Sequence, residues 1–245
     1  MEELVGIRRT PTGIEGLDRI LGGGLPAERL TLVSGPAGAG KSTFALQFLY
    51  YGALNEDEPG IYVTFDEKPE NVRNDMMSYG WDLRELESQG LLAMVDGFSS
   101  RAGVSSNEKY TTELEVDELL TVLIELIDEI GAERVVIDSI TAVALSLQDE
   151  VSIRKEILKL GAVLSTLTCT TIMTSEMTKK DEVSRFGVEE FMAQGVIVLD
   201  YIFQRRGIRT LQVRKMRGIK HSTIERPFKI TDRGIIVYPN ELIYR

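Results

Sequence analysis

Residues 35–42 read Gly-Pro-Ala-Gly-Ala-Gly-Lys-Ser, between a short apolar run over 29–34 and a stretch from residue 43 whose apolar residues recur at helical spacing. No other feature constrains the fold as much. A Gly-x4-Gly-Lys-Ser loop that leaves a strand and enters a helix turns backbone N–H groups inward, because glycine puts no Cβ in the way. The helix adds the positive end of its dipole. Such a concavity fits a polyphosphate. The expected cradle is Gly35, Pro36, Ala37, Gly38, Ala39, Gly40, Lys41, Ser42 and Thr43, with Lys41 reaching the β- and γ-phosphates of ATP and Ser42 ligating Mg2+.

The rest of the chain alternates between two periods. The spacing predicts strands over 29–34, 61–65, 91–95, 134–138 and 170–174, and helices over 14–21, 43–55, 69–79, 116–130 and 151–167, with a polar loop over 99–112. This order implies an α/β fold, a mainly parallel sheet with helices on both faces. After Gly195 the style changes: runs over 196–199, 210–213, 228–230 and 235–238 are joined by short turns, which predicts an antiparallel C-terminal extension of the same sheet. The expected organisation is one domain: an N-terminal arm and helix over 1–28, a core over 29–194 and the extension over 195–245.

Three strand ends carry polar groups. Asp138 closes the apolar run 134–138 and is expected to hold the metal, directly or through water. Asp66 and Glu67 follow the strand at 61–65, and one of them is expected to take the proton of an attacking water. Thr174, Ser175 and Glu176 end the next strand, where hydrogen-bonding groups can sense a γ-phosphate.

The net charge is −10, which argues against a protein that coats nucleic acid over its whole surface. The charge is uneven: nine acids face Lys109 over 108–133, and nine bases face Glu225 over 205–229. The basic stretch suits a phosphate, a nucleic acid or the acidic face of a neighbouring copy. No run of eighteen apolar residues predicts a membrane span, and residues 1–9 lack a basic segment followed by an apolar one, so no secretory signal is expected. The single cysteine, Cys169, excludes an internal disulfide, and the cytoplasm is the expected compartment.

In this order the motifs resemble the RecA-like P-loop NTPases, and among them the KaiC-like ATPases. The resemblance runs from Thr12-Gly13-Ile14-Glu15-Gly16-Leu17-Asp18 through the phosphate loop, Val63-Thr64-Phe65-Asp66-Glu67, Ser78-Tyr79-Gly80-Trp81-Asp82-Leu83 and Val136-Ile137-Asp138-Ser139. It continues with Arg185-Phe186-Gly187-Val188-Glu189-Glu190-Phe191, Lys215-Met216-Arg217-Gly218-Ile219-Lys220-His221 and Ile230-Thr231-Asp232. It implies a single ATPase domain that assembles as a homo-oligomer, usually a hexameric ring, with ATP between adjacent copies. Carried over by position, it implies a nucleotide contact at Ser78. It also implies contacts delivered to a neighbour's ATP by Lys215, Met216, Arg217, Ile219, His221, Thr231 and Asp232. This chain departs from the family in having Asp66 where the first of two glutamates is usual, and Ile219 where a small hydroxyl residue is common. It has no adjacent Ser-Thr phospho-acceptor pair in the setting that the family's clock members use in their second domain, so timekeeping by autophosphorylation is not expected.

The leading functional reading is therefore a Mg2+-dependent ATPase that switches a ring assembly. Two others fit some of the residues. A DNA-binding recombination accessory protein would use Lys179, Lys180 and Arg185, with Phe186 as an aromatic platform, although Asp181 and Glu182 dilute that footprint. An ATP-sensing module with little turnover would transmit nucleotide occupancy to a protein partner.

Overall fold

The computed structural model describes residues 6–145, 149–177, 182–202 and 207–243. In chain order the elements are β1 (Arg9–Thr10), α1 (Leu17–Leu21), β2 (Leu25–Pro26), β3 (Leu30–Gly35), α2 (Lys41–Tyr51), β4 (Gly60–Thr64), α3 (Pro69–Met76), α4 (Leu83–Ser88) and β5 (Leu92–Asp96). Then follow α5 (Phe98–Ala102), β6 (Tyr110–Thr111), α6 (Val116–Ile130), β7 (Arg134–Asp138), α7 (Ile140–Leu145), α8 (Glu150–Leu164), β8 (Thr170–Glu176) and α9 (Glu189–Met192). The chain closes with β9 (Gly195–Ile202), β10 (Ile208–Met216), β11 (Arg226–Thr231) and β12 (Gly234–Val237).

One ten-stranded sheet, in the order β12-β11-β10-β9-β3-β8-β7-β4-β5-β6, organises these elements. From β9 to β6 every pairing is parallel, so these strands end on the same edge. From β9 outward the pairings to β10, β11 and β12 are antiparallel. Strand alternation feeds two cores. Val33, Tyr62 and Val136 face a layer with Phe44, Phe48 and the C-terminal strands, while Leu32, Ile61, Val63 and Ile137 face Leu119, Leu123 and Leu160. The helix α6 supplies a buried stripe of Val116, Leu119, Leu120, Leu123 and Leu126 and leaves its acids in solvent.

Several expectations are corrected. The run at 196–199 is not part of the antiparallel extension alone: as β9 it lies parallel to β3, with Thr31 opposite Gly195, and the reversal begins at β10. The predicted polar loop at 99–112 holds α5 and the edge strand β6, each too short to show a period. The helix expected over 43–55 starts at Lys41 and passes into a π-helical turn at Gly52–Glu56, and α8 stops at Leu164 where Ser165 and Thr166 turn back on Gly161 and Val163.

Beneath the base of α2 lies Arg134, which is fully buried. Its guanidinium pairs with Glu58 at 2.6 Å and donates to the carbonyls of Phe48 (2.7 Å) and Pro11 (2.9 Å). It thereby ties the N-terminal arm, the end of α2 and β7 together. Removing one partner of a buried pair strands the other charge, so Arg134→Ala is expected to lower unfolding free energy by about 3–5 kcal/mol. Urea denaturation measures this, and an unchanged midpoint would rule out the anchoring role.

Candidate nucleotide site

The phosphate loop leaves β3 at the sheet edge where β4, β7 and β8 also end. Gly35 stands opposite Glu176, Ser34 opposite Ser175, and Thr64 opposite Asp138. In open α/β sheets, ligands bind at this carboxyl edge. Gly38 and Gly40 sit at φ +74° and +103°, a region side chains disfavour, so the loop can fold back on itself only with glycine there. Gly40 is also the N-cap of α2. No side chain caps that helix and no acid lies in its first turn, so its terminal N–H groups face the cleft without a competing internal anion.

Lys41 folds over the loop, its Nζ donating to the carbonyls of Gly35 (2.9 Å) and Pro36 (3.0 Å). Burial pushes its pKa down, while the nearby carboxylates of Asp138, Glu176 and Asp66 oppose that shift. A cleft of about 380 Å³ opens beside it, lined among others by Ser42, Thr43, Asp66, Glu67, Ser78 and Asp138. The structure thus brings the phosphate loop, the metal-ligand candidates, the Asp66–Glu67 pair and Ser78 to one place. The Ser78 hydroxyl is occupied locally, donating to the Asp75 carbonyl at 2.7 Å.

Asp138, nearly buried at 6% exposure, is held from two sides. Its Oδ2 accepts the Tyr62 hydroxyl at 2.6 Å, and its Oδ1 accepts the Thr174 hydroxyl. Tyr62 lines the cleft together with Ser42, and burial with the adjacent Asp138 pushes the phenol pKa well up, so it stays a donor. Hard oxygen donors on Ser42 and Asp138 suit Mg2+.

The two candidate bases differ. Asp66 is engaged at both oxygens, by Arg101 at 2.7 Å and Ser139 at 2.6 Å. Glu67 has its pKa raised, first by burial and then by repulsion from Asp75, with Asn71 opposing. Thr174 and Ser175 are fully buried: one serves Asp138, and the other donates to Glu189 at 3.0 Å, so neither hydroxyl faces the cleft as the sequence suggested. Glu189, itself fully buried, also accepts the Phe186 and Val188 N–H groups.

The basic segment lies elsewhere. Met216 pairs with Gly195, which pairs with Thr31 near the start of β3, so Lys215 to His221 occupy the sheet edge opposite the phosphate loop. The Lys215 ammonium donates to the carbonyls of Glu190 (2.8 Å) and Ala193 (2.7 Å), and Arg217 is exposed. The Met216 side chain is buried in the core, which corrects the expectation for it: any nucleotide contact there falls to its backbone. Ile219 packs partly against the same core, and His221 Nδ1 lies 3.2 Å from the Ile219 carbonyl. Thr231 and Asp232 do not lie with this group. The neighbouring Ile230 packs within 2.9 Å of where a Cβ would stand on Gly40, so their turn lies over the chain's own loop. Lys179, Lys180 and Asp181 lie outside the described residues. Arg185 pairs with Glu176 at 3.0 Å, and Phe186 is half-buried against the core.

Sequence reasoning missed Tyr62, Arg101 and Ser139. Tyr62 reads as one more apolar strand residue, and Arg101 comes from a helix too short to be predicted.

A phosphate loop on the central strand of this sheet, with acidic residues on the neighbouring strand ends, defines a RecA-like P-loop nucleotide-binding protein. The sequence matches the family described as ATPase: KaiC over residues 10–242. The chain belongs to the KaiC family of ATPases. A UPF0273 protein of Aeropyrum pernix is 42% identical over 242 residues, 97% of this chain and 96% of that protein. The circadian clock oscillator protein KaiC of Acaryochloris marina is 38% identical over 239 residues, 96% of this chain but only 45% of that longer protein. The crystal structure of a KaiC-like protein from Pyrococcus horikoshii superposes with a TM-score of 0.83 at 40% identity, covering 95% of this chain and 100% of that one. Among the described residues no helix is long and apolar enough to cross a membrane.

Proposed function

We propose that this protein is a Mg2+-dependent ATPase that binds ATP between adjacent copies of itself in a ring, and that nucleotide occupancy and hydrolysis switch the assembly. The observation that carries this reading is the separation of two nucleotide-directed groups on one sheet. The phosphate loop and its carboxylates lie at one edge, and Lys215, Arg217 and His221 lie at the other. A single chain cannot close both on one nucleotide; a head-to-tail neighbour can.

In this reading the loop N–H groups and Lys41 bind the phosphates, Ser42 and Asp138 hold Mg2+, and Thr231 and Asp232 border the nucleotide from the same chain. Bound Mg2+ neutralises phosphate charge and orients the γ-phosphate. Glu67 takes the proton of the attacking water, because it has the raised affinity for protons while Asp66 already accepts hydrogen bonds at both oxygens. Arg217 from the neighbour meets the charge that develops on the γ-phosphoryl group.

Phosphate release tests the reading. Turnover should require Mg2+ and vanish with a chelator. It should fall as pH drops, because the active form of Glu67 is ionised, and its raised pKa places this acid limb above the ordinary 4.5. Glu67→Gln should lower the rate about 10²–10⁴-fold and abolish the limb, while Asp66→Asn should retain it. The reverse pattern moves the base to Asp66, and no phosphate release from folded wild type removes the enzymatic reading.

A further inference from the structure

We propose that Tyr62 is a positioning residue of the metal site, its hydroxyl holding Asp138 in the orientation that receives Mg2+ beside Ser42. The proposal rests on the ATP and Mg2+ reading above and adds to it a residue whose contribution is confined to the metal.

The ring of Tyr62 is ordinary core, 1% exposed and packed in the same layer as Val33, Val136 and Ile172. A phenylalanine would supply that packing. The hydroxyl does something the packing does not need: it donates to Asp138 Oδ2 at 2.6 Å. One phenol on β4 therefore restrains the side chain that closes β7. Thr174 donates to the other Asp138 oxygen from β8. The carboxylate is thus gripped on both sides, and its rotation is fixed.

That restraint matters because Mg2+ demands near-ideal octahedral geometry and gives up its waters reluctantly. A carboxylate that meets the ion or one of its waters has to be oriented before the ion arrives. Groups that orient metal ligands in this way typically govern about 10–100-fold of metal affinity. Tyr62 lines the same cleft as Ser42 and Asp138.

Tyr62→Phe removes the hydroxyl alone. The test is calorimetric titration of Mg2+ into protein saturated with a non-hydrolysable ATP analogue, beside titration of that analogue in the presence of EDTA. The expected result is about 10-fold weaker Mg2+ binding with metal-free analogue affinity and thermal midpoint close to wild type. In an Asp138→Asn background, Tyr62→Phe should weaken Mg2+ no further, because the carboxylate it positions is gone. Equal Mg2+ affinity in wild type and Tyr62→Phe would overturn the proposal while leaving the ATPase reading intact. So would a matching loss of analogue binding in EDTA, which would mark a general packing fault. A wild type whose analogue binding ignores Mg2+ would overturn both.

Discussion

Replacing Lys41 with alanine is expected to lower MgATP turnover by about 10²–10³-fold and to weaken ATP binding. The reason is local electrostatics. Lys41 is surrounded by Asp138, Glu176 and Asp66, whose charges it already feels. A triphosphate entering that edge brings further negative charge. With Lys41 present, the ammonium can exchange the Gly35 and Pro36 carbonyls for phosphate oxygens at little geometric cost. Without it, phosphates and carboxylates face each other across a partly desolvated cleft, where charges are poorly screened. Phosphate release and equilibrium nucleotide binding measure the two effects. Equal rates in the variant and the wild type would remove Lys41, and with it the loop, from the chemistry.

The second large effect concerns Arg217. Arg217→Ala is expected to reduce turnover by about 10³-fold while leaving ATP binding to each chain nearly unchanged. The two expectations differ because Arg217 follows Met216, itself paired beside Thr31, whereas the loop begins at Gly35. Four residues of strand separate those levels by about 13 Å. The decisive measurement is a mixture. Chains carrying Lys41→Ala still present Arg217, and chains carrying Arg217→Ala still have an intact loop. Co-assembled in MgATP, the two inactive proteins should regain activity at the junctions where a good loop meets a good arginine. Light scattering in the same buffer should report a closed oligomer. Full activity of Arg217→Ala alone, or an inactive mixture of co-assembled chains, would show that the arginine does not act across a junction.

Much of this was legible in the sequence where a long period or a special backbone demand existed. The bounds of α6 and β7 match the predicted 116–130 and 134–138, because fifteen residues of helical spacing and an unbroken apolar run leave little ambiguity. The loop at 35–42 was legible because Gly38 and Gly40 occupy backbone conformations that other residues resist. By contrast, α4, α5, α7 and α9 are six residues or fewer, less than two turns, and their formation depends on what they pack against. The direction of β9 was hidden for a different reason. A buried strand carries the same residues whether its neighbour runs with it or against it, and only the return path of the chain decides. The site split in the same way. Strand ends revealed Asp138 and Asp66–Glu67, but the groups that orient them, Tyr62, Arg101 and Ser139, depend on three-dimensional proximity.

The segment before β9 ties the two edges of the sheet together. Glu189 is fastened to Ser175 near the loop end of β8, and its neighbours Glu190 and Ala193 grip the ammonium of Lys215 at the far end. In the proposed ring, a displacement of the tip of β8 would pull on the clasp around Lys215, the cation that this reading assigns to the next copy. In a closed ring such clasps would connect every junction in series. Firing at one would then set the readiness of the next, giving rounds of hydrolysis an order around the circle.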